Sequence, residues 1–246
     1  METRKIGSLD VSIVGLGCNN FGMRIDEAQT KQVVDACLDA HINFFDTADV
    51  YGGGRSEEFL GKALGSRRSE VVIATKFGGG DPPTGGKKDR IPSALDASLR
   101  RLGTDYIDLY QLHFPDAETP QEETLEALDE LVRAGKVREI GCSNFGSTLI
   151  DEAQAVSSDK RLARYASVQN NYSLLERGVE KKVLPACGRH GMGFLPYFPL
   201  ASGLLTGKYT SAEDLPEGTR LAMMAQAAPE RAKQVLSDEN FAVVGK

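Results

Sequence analysis

The chain has 246 residues, of which 41% are hydrophobic and 26% are charged, so it has the composition of a folded globular protein with a substantial core. Its formal net charge of −6 argues against a general attraction to nucleic acid or to an anionic membrane surface. No apolar run approaches the roughly 18 residues that a membrane-spanning helix needs. From the charge and the lack of such a run, neither nucleic acid nor a membrane is expected as a partner.

The cysteines and the amino terminus indicate a cellular compartment. The four cysteines lie far apart and form no C-x-x-C pair: Cys18, Cys37, Cys142 and Cys187. A metal site or a disulfide framework is therefore not expected, and a reducing cytosol is the default. Charged residues follow Met1, and no apolar segment of a signal peptide is visible. The sequence predicts a soluble, cytoplasmic protein.

Predicted strands alternate with amphipathic helices along the chain. A small hairpin is predicted over residues 4–12, and a first inner strand over residues 14–17. Further strands are predicted at 43–46, 71–76, 106–112, 137–142, 165–169 and 192–198. Helices are predicted at 26–40, 56–64, 92–102, 120–134, 147–156 and 178–190. This alternation indicates a parallel sheet covered by helices.

The fold class follows from the number and order of these elements. Seven strands of the βα type are visible, and nothing marks the reversal of strand order that a doubly wound sheet requires. A (β/α)₈ barrel of about 250 residues fits better, although no eighth strand is visible. Residues 82–88 are predicted to form a loop on the catalytic face, and residues 210–231 a long loop or a mobile lid. Residues 241–244 are typical of the start of a helix.

Ionisable side chains lie at the ends of three neighbouring predicted strands. Asp46 ends the second strand, and Tyr51 lies in the glycine-rich turn beyond it, while Lys76 and His113 end the next two strands. Taken singly, each has an ordinary structural interpretation as a cap, a rim aromatic, a solvated lysine or a buried histidine. Because parallel strands end at one rim, we interpret the four together as a catalytic set. An unpaired charge there would be costly, so pairing is expected.

Six segments carry a resemblance to a known family. They are NFFDTADVYG at 43–52, ATKFG at 74–78, SLRRLGTDYIDLYQLHFPD at 98–116, IGCSNF at 140–145, SVQNNYSLLER at 167–177 and PYFPLASGLLTGKY at 196–209. In their order and spacing, the chain resembles the aldo-keto reductases over essentially its whole length. It is most similar to the bacterial branch that also resembles potassium-channel β subunits.

The resemblance implies a single α/β barrel domain over residues 1–246. The family continues with an eighth βα unit, which usually holds the adenine ribose and its 2′-phosphate, whereas this sequence ends at Lys246. The resemblance therefore implies a (β/α)₈ TIM barrel that lacks its eighth unit and is incomplete at its carboxyl end. We expect such a chain to bind nicotinamide dinucleotides weakly, with little discrimination between NADPH and NADH, and to leave residues 210–231 poorly ordered.

The resemblance also implies roles for the catalytic set of Asp46, Tyr51, Lys76 and His113. Reduction of a carbonyl needs a hydride on carbon and a proton on oxygen. Tyr51 would be the general acid in reduction and the general base in oxidation. A free tyrosine has a pKa of about 10, so Lys76 would lower that pKa while Asp46 keeps the lysine charged. His113 would orient the carbonyl.

The implied cofactor is NADPH, with NADH possible, and no metal is expected. No G-x-G-x-x-G motif follows a predicted strand, which disfavours a Rossmann-type site. By resemblance, Ser143, Asn144 and Gln169 would bind the carboxamide, and Tyr197 would stack under the nicotinamide ring. The pyrophosphate would be held by the loop residues Pro199, Leu200, Ser202, Gly203, Leu205 and Lys208.

Two residues depart from the family pattern. Relatives usually have glycine after the first helix, where this chain has His41, which we therefore expect in a left-handed, structural position. Phe114 stands where relatives often have tryptophan, and the chain contains no Trp. Aromatic residues of the substrate pocket must then be Phe or Tyr.

The sequence thus predicts an NAD(P)H-dependent aldo-keto reductase that acts on small aldehydes or ketones. One alternative is a regulatory barrel that binds cofactor and turns over little. Another is a barrel enzyme that binds a sugar phosphate through Lys208 and the glycine-rich loops. That second alternative leaves Tyr51 and Lys76 without roles.

Overall fold

The computed structural model describes residues 1–81 and 83–244. The strands are β1 (Thr3–Ile6), β2 (Leu9–Ser12), β3 (Gly15–Gly17), β4 (Phe44–Asp46), β5 (Val72–Phe77), β6 (Ile107–Leu112), β7 (Val137–Ser143), β8 (Tyr165–Asn171) and β9 (Gly193–Tyr197). The α-helices are α1 (Glu27–Asp39), α2 (Arg55–Leu64), α3 (Ile91–Leu102), α4 (Gln121–Arg133), α5 (Ser147–Lys160), α6 (Val183–His190), α7 (Arg220–Ala227), α8 (Pro229–Val235) and α9 (Asp238–Val244). Short 3₁₀ segments span Tyr51–Gly54, Gly65–Glu70, Gly178–Lys181 and Ala201–Thr206.

These elements confirm the predicted alternation of strands and helices. The predicted hairpin is β1 with β2, and α5 continues to Lys160 instead of ending at residue 156. The helix predicted at 178–190 is divided into a 3₁₀ segment and α6. Pro82, in the predicted catalytic-face loop, lies outside the described residues. Within the described ranges, no helix is both long enough and apolar enough to cross a lipid bilayer.

The strands after the hairpin form one seven-stranded sheet with the order β3-β4-β5-β6-β7-β8-β9, and the fold is of the α/β class. Each pairing from β3 to β8 is parallel. Asp46 of β4 is paired in register with Ala74, and Lys76 of β5 with Gln111. Because parallel strands all end at one edge, this register brings the residues at the strand ends onto a common face.

The described chain divides into two compact units, each with its own core. Unit 1 contains residues 1–169 and 185–194, and unit 2 contains residues 170–184 and those from 195 onward. In unit 1, every residue of β5 and β6 is buried, as expected for strands covered on both faces. Asp26 is the N-cap of helix α1, and its carboxylate accepts a hydrogen bond from the amide of Gln29 at 2.8 Å. The amide of Asp26 donates to the side chain of Gln29 at 3.1 Å, which completes a capping box.

Unit 2 is built around a small apolar core. Its buried members are Leu204, Tyr209, Leu221, Ala232 and Leu236. Two of the helices that supply them, α7 and α8, begin inside the segment 210–231, which was predicted to be a loop or lid. That prediction is wrong for its second half, because the spacing of Leu221, Met224 and Ala225 gives α7 an apolar face against this core.

Helix α1 ends in a left-handed residue, as predicted. His41 has a φ of 58°, and its amide donates to the carbonyl of Leu38 at 2.9 Å. The amide of Ile42 donates to the carbonyl of Cys37 at 2.8 Å, which completes a Schellman motif. Glycine would reach this conformation without the steric cost of a Cβ.

We therefore predict that His41→Gly stabilises the chain by about 1 kcal/mol, since the left-handed backbone costs a non-glycine residue about that much. The free energy of unfolding in urea measures it. His41→Ala is the control, because alanine keeps the Cβ. An equal gain in His41→Ala would show that loss of the imidazole, and not the positive φ, is responsible.

Candidate active site

The four predicted catalytic residues lie together in unit 1, at the carboxyl edge of the sheet. Asp46 is the last residue of β4, Lys76 is the second-last residue of β5, and His113 directly follows β6. Tyr51 opens the 3₁₀ segment that leads into α2. The contacts below bring all four into one cluster.

A buried ion pair forms the centre of this cluster. The Nζ atom of Lys76 donates to both carboxylate oxygens of Asp46, at 2.8 and 2.7 Å, and to the carbonyl of Thr47 at 2.9 Å. The Lys76 side chain is only 1% exposed. Burial alone would lower the pKa of Lys76, but Asp46 and Tyr51 outweigh it and raise that pKa above its ordinary value. The ammonium therefore stays charged at neutral pH.

The ring of Tyr51 lies beside this ammonium. The Nζ atom of Lys76 is 5.2 Å from the centroid of the Tyr51 ring. Burial raises the pKa of Tyr51 above its ordinary value, and the charge of Lys76 opposes that rise without cancelling it. The expected lowering by Lys76 is therefore present, but the net shift is opposite to the one predicted, because the sequence does not reveal how deeply the phenol is buried.

His113 is the neutral member of the cluster. Its ring meets that of Tyr51 edge to face, with 5.9 Å between centroids, and stacks on Phe114 at 4.7 Å. Burial, with a smaller contribution from Lys76, lowers the pKa of His113 to about 4. Nδ1 has no hydrogen-bond partner within the described residues and faces Gly79, where a Cβ would lie only 2.7 Å away. A neutral imidazole carries one proton, so one of its two ring nitrogens donates and the other accepts.

Two of the predicted carboxamide ligands join this cluster through hydrogen bonds. The Nδ2 atom of Asn144 donates to the carbonyl of His113 at 2.9 Å and to the Oγ of Ser143 at 3.2 Å. Ser143 in turn donates to the carbonyl of Gln169 at 2.9 Å. Asn144 has a φ of 63°, which turns it out of the strand at the end of β7. The ends of β6, β7 and β8 are thus tied together at one edge.

The remaining predicted cofactor residues lie in unit 2. Tyr197 ends β9, and the others follow in the loop and the 3₁₀ segment: Pro199, Leu200, Ser202, Gly203, Leu205 and Lys208. Positive φ values occur at Phe198, Ala201, Ser202 and Gly203, at 53°, 47°, 58° and 97°. Two amides of this loop are used internally: that of Ala201 donates to the carbonyl of Phe198 and that of Gly203 to the carbonyl of Leu200, both at 2.8 Å. A Cβ on Gly203 would lie 3.3 Å from the Nζ of Lys208, so the ammonium is close to this backbone.

Arg220 is a cationic residue of unit 2 that the sequence analysis missed. Its guanidinium lies 4.7 Å from the centroid of the Phe198 ring, which belongs to the same left-handed loop. The only available signal was an arginine at the start of an unrecognised helix. The contact between Arg220 and Phe198 depends on how residues 210–219 fold. The periodicity of the sequence does not predict the path of that segment.

Asp49 is a second missed residue, in unit 1. Its amide donates to the carbonyl of Lys76 at 3.1 Å, and its Oδ1 has no hydrogen-bond partner in the described part of the chain. Burial, reinforced by Glu57, raises the pKa of Asp49 to about 6, against the opposing charges of Arg101 and Lys76. The sequence did contain a signal for a second buried acid, because the segment DTAD at 46–49 has two aspartates. Only Asp46 was assigned a role.

Comparison with known proteins gives a single family. The sequence profile described as "Aldo/keto reductase family" matches residues 13–242. The chain is 41% identical to a Bacillus subtilis protein named "Uncharacterized oxidoreductase YrpG", over 92% of this chain and 73% of the relative. It is 40% identical to an Oryza sativa protein named "Probable voltage-gated potassium channel subunit beta", over 91% and 71%. It is 38% identical to "Aldo-keto reductase yakc [NADP(+)]" of Schizosaccharomyces pombe, over 89% and 66%.

Asp49 gives a prediction for stability against pH. Its pKa is raised from an ordinary 3.8 to about 6 on folding, so the folded state binds more protons than the unfolded state between those values. Asp49 therefore costs stability as the pH rises from about 4 to about 6. We predict that the free energy of unfolding of Asp49→Asn, relative to the parent, increases over this interval.

Urea unfolding at a series of pH values measures this difference, with the exposed Asp39→Asn as the control. His113 acts in the opposite direction, because its pKa falls from 6.5 to about 4 and its contribution to stability grows as the pH rises through that range. Taking the difference between variant and parent cancels the histidine. A flat difference curve would show that Asp49 is not perturbed.

Proposed function

Because the chain belongs to the aldo/keto reductase family, we propose that it is an NAD(P)H-dependent oxidoreductase that reduces aldehydes or ketones to alcohols. The main support is the buried Lys76–Asp46 ion pair beside the ring of Tyr51. A charged lysine held against a phenol is the arrangement needed to stabilise a phenolate after proton transfer.

Tyr51 is the proton donor in this proposal. Its raised pKa keeps it protonated at neutral pH, which is the form that reduction requires. As the carbonyl π electrons move onto oxygen, the Tyr51 O–H bond breaks and its proton passes to that oxygen. The phenolate left behind faces the ammonium of Lys76, which Asp46 holds in place. In alcohol oxidation, the phenolate accepts the proton as a general base.

His113 orients the carbonyl in the same step. With a pKa of about 4 it is neutral at physiological pH and carries no charge. In this proposal it donates a hydrogen bond through Nε2, since Nδ1 faces Gly79. A neutral donor polarises the carbonyl without competing with Tyr51 as the acid. Its stacking on Phe114 limits the orientations of the ring.

Each unit, considered by itself, contains groups with the chemistry to hold part of a cofactor. A reduced nicotinamide, when bound, supplies a hydride to the carbonyl carbon. Ser143, Asn144 and Gln169 present polar groups at the end of the sheet suited to a carboxamide. The ammonium of Lys208, close to the left-handed backbone at residues 201–203, and the guanidinium of Arg220 would supply the positive charge that a pyrophosphate needs. Tyr197, Pro199, Leu200 and Leu205 would contribute apolar contacts.

NADPH is the proposed cofactor, with NADH as the second choice. The relative from S. pombe carries NADP(+) in its name. We also assign the chain to the (β/α)₈ class, without an eighth βα unit in this sequence. The seven strands lie in sequence order, and the pairings from β3 to β8 are parallel, as in such a barrel. Small aldehydes or ketones are the proposed substrates.

A regulatory role is the second candidate function. It is favoured by the likeness to the rice protein named as a probable potassium channel subunit. In that case the chain would bind NADPH and turn over little. Cofactor fluorescence measures binding, and a panel of carbonyl compounds at fixed NADPH measures turnover. Binding with no turnover across the panel favours the regulatory role, and turnover that depends on Tyr51 favours the reductase.

We predict that Tyr51→Phe lowers carbonyl reduction by roughly 10²–10⁴-fold, the loss typical of removing a general acid. NADPH binding, followed by fluorescence, should be retained, because the ring remains. Tyr106→Phe, a tyrosine between α3 and β6, is the matched control. Turnover of Tyr51→Phe within a few fold of that control would rule out Tyr51 as the acid.

We predict that Lys76→Met moves the alkaline limb of the pH profile for alcohol oxidation to higher pH. The charge of Lys76 lowers the pKa of Tyr51, so its removal leaves the raising effect of burial unopposed. The single variant leaves the Asp46 carboxylate without its ion-pair partner. The double variant Lys76→Met with Asp46→Asn is therefore measured alongside it. The exposed Lys62→Met is the control. A limb that stays in place in both variants would contradict the assigned role of Lys76.

A further inference from the structure

A buried carboxylate lies behind the cluster, on the helix side of the sheet. Glu57, in the first turn of α2, has a side chain that is 0% exposed. Its Oε1 accepts a hydrogen bond from the hydroxyl of Thr75 at 2.6 Å, and its Oε2 accepts one from the Nε of Arg101 at 2.6 Å. Both oxygens are therefore engaged, each by a different element of unit 1.

The first of these partners connects Glu57 to the catalytic lysine. Thr75 directly precedes Lys76 in β5, and successive side chains of a strand point to opposite faces. Glu57 therefore holds β5 from the helix side at the residue next to Lys76. On the other face, Asp46 holds the lysine side chain itself.

The second partner connects Glu57 to the turn that carries Tyr51. Gly54 closes this turn with a φ of 92°, and a Cβ there would lie 2.9 Å from the Cδ of Arg101. The side chain of Arg101 thus packs directly on the turn while its guanidinium binds Glu57. The turn begins near Asp49, whose amide donates to the carbonyl of Lys76 at 3.1 Å.

We propose that Glu57 is a positioning residue for proton transfer, which, through Thr75 and Arg101, fixes the placement of the Lys76 ammonium relative to the ring of Tyr51. The inference rests on the proposed function, in which Tyr51 gives up the proton. The hydrogen bonds of Glu57 go to Thr75 and Arg101. Glu57 thus joins the strand that carries Lys76 to the turn that carries Tyr51.

We call the connection from Thr75 through Glu57 to Arg101 the brace. It matters because the rate of proton transfer depends steeply on the positions of the reacting groups. A misplacement of about 1 Å at a reacting group can cost on the order of 10²-fold in rate. A flexible lysine would stabilise the phenolate less, because its charge would spend time farther from the oxygen. A buried carboxylate with two charge-assisted or short hydrogen bonds is a stiff connection between two elements.

Two variants test the brace from opposite sides. Glu57→Gln keeps the shape and removes the charge, and Thr75→Val keeps the shape and removes the hydroxyl. The matched controls are Glu58→Gln, the exposed neighbour on α2, and Thr75→Ser, which keeps the hydroxyl. We expect kcat for carbonyl reduction to fall about tenfold or more in Glu57→Gln and Thr75→Val, with KM nearly unchanged. Both controls should stay near the parent.

The pKa of Tyr51 gives a readout that needs no turnover. The titratable groups that face Tyr51 are Lys76, Asp46, Cys18 and the ring of His113. The ultraviolet absorbance of ionised tyrosine is titrated in each variant, and the same variant carrying Tyr51→Phe is subtracted. If Glu57 acted only through its negative charge, Glu57→Gln would lower the pKa of Tyr51. Positioning predicts the opposite, because a loosened Lys76 opposes the effect of burial less.

The outcomes separate this inference from the proposed function. A higher pKa of Tyr51 together with a lower kcat in both Glu57→Gln and Thr75→Val supports the brace. If Tyr51→Phe is inactive while Thr75→Val matches Thr75→Ser in kcat and in the pKa of Tyr51, the brace is wrong and the reductase assignment stands. If Tyr51→Phe turns over normally, both are overturned. Should Glu57→Gln fail to fold, the comparison of Thr75→Val with Thr75→Ser still decides.

Discussion

The contact on which the site depends is the ion pair of Lys76 with Asp46. A buried ammonium is costly unless it is paired and hydrogen-bonded, and here two carboxylate oxygens and one carbonyl satisfy it. The parallel sheet makes the pair possible, since Asp46 ends β4 while Lys76 lies two residues beyond its register partner Ala74 on β5. The charge is thus retained next to Tyr51, where the proposed proton transfer requires it.

Much of this arrangement could be predicted from the sequence because strand ends are predictable. A run of apolar residues followed by Asp46, Lys76 or His113 gives the position of each side chain along its strand, and the parallel order gives the rest. The net pKa of Tyr51 could not be predicted, because it depends on burial by neighbours distant in sequence. Unit 2 was missed for a related reason: α7 has one short apolar face, centred on Leu221, and its partners lie elsewhere in the chain.

Burial divides the ionisable groups of the site into different protonation states. It lowers the pKa of His113 to about 4, so the imidazole is neutral, and it raises the pKa of Tyr51, so the phenol stays protonated. Lys76, with a carboxylate at hydrogen-bond distance, resists burial and keeps its charge. The proposed carbonyl reduction needs one acid, one neutral donor and one fixed cation. All three arise from the same desolvation acting on groups of different type and pairing.

Close backbone approach is the remaining constraint, and it depends on two glycines. Gly79 brings the end of β5 against Nδ1 of His113, and Gly54 brings the Tyr51 turn against Arg101; a Cβ at either place would lie 2.7 or 2.9 Å from its neighbour. Both contacts place a loop directly on a side chain that the site uses or that supports it. The polar residues at the strand ends are thus the proposed catalytic groups, and these glycines set how closely the loops can pack around them. A substitution that kept all four polar residues but enlarged either glycine would push the proposed catalytic groups apart.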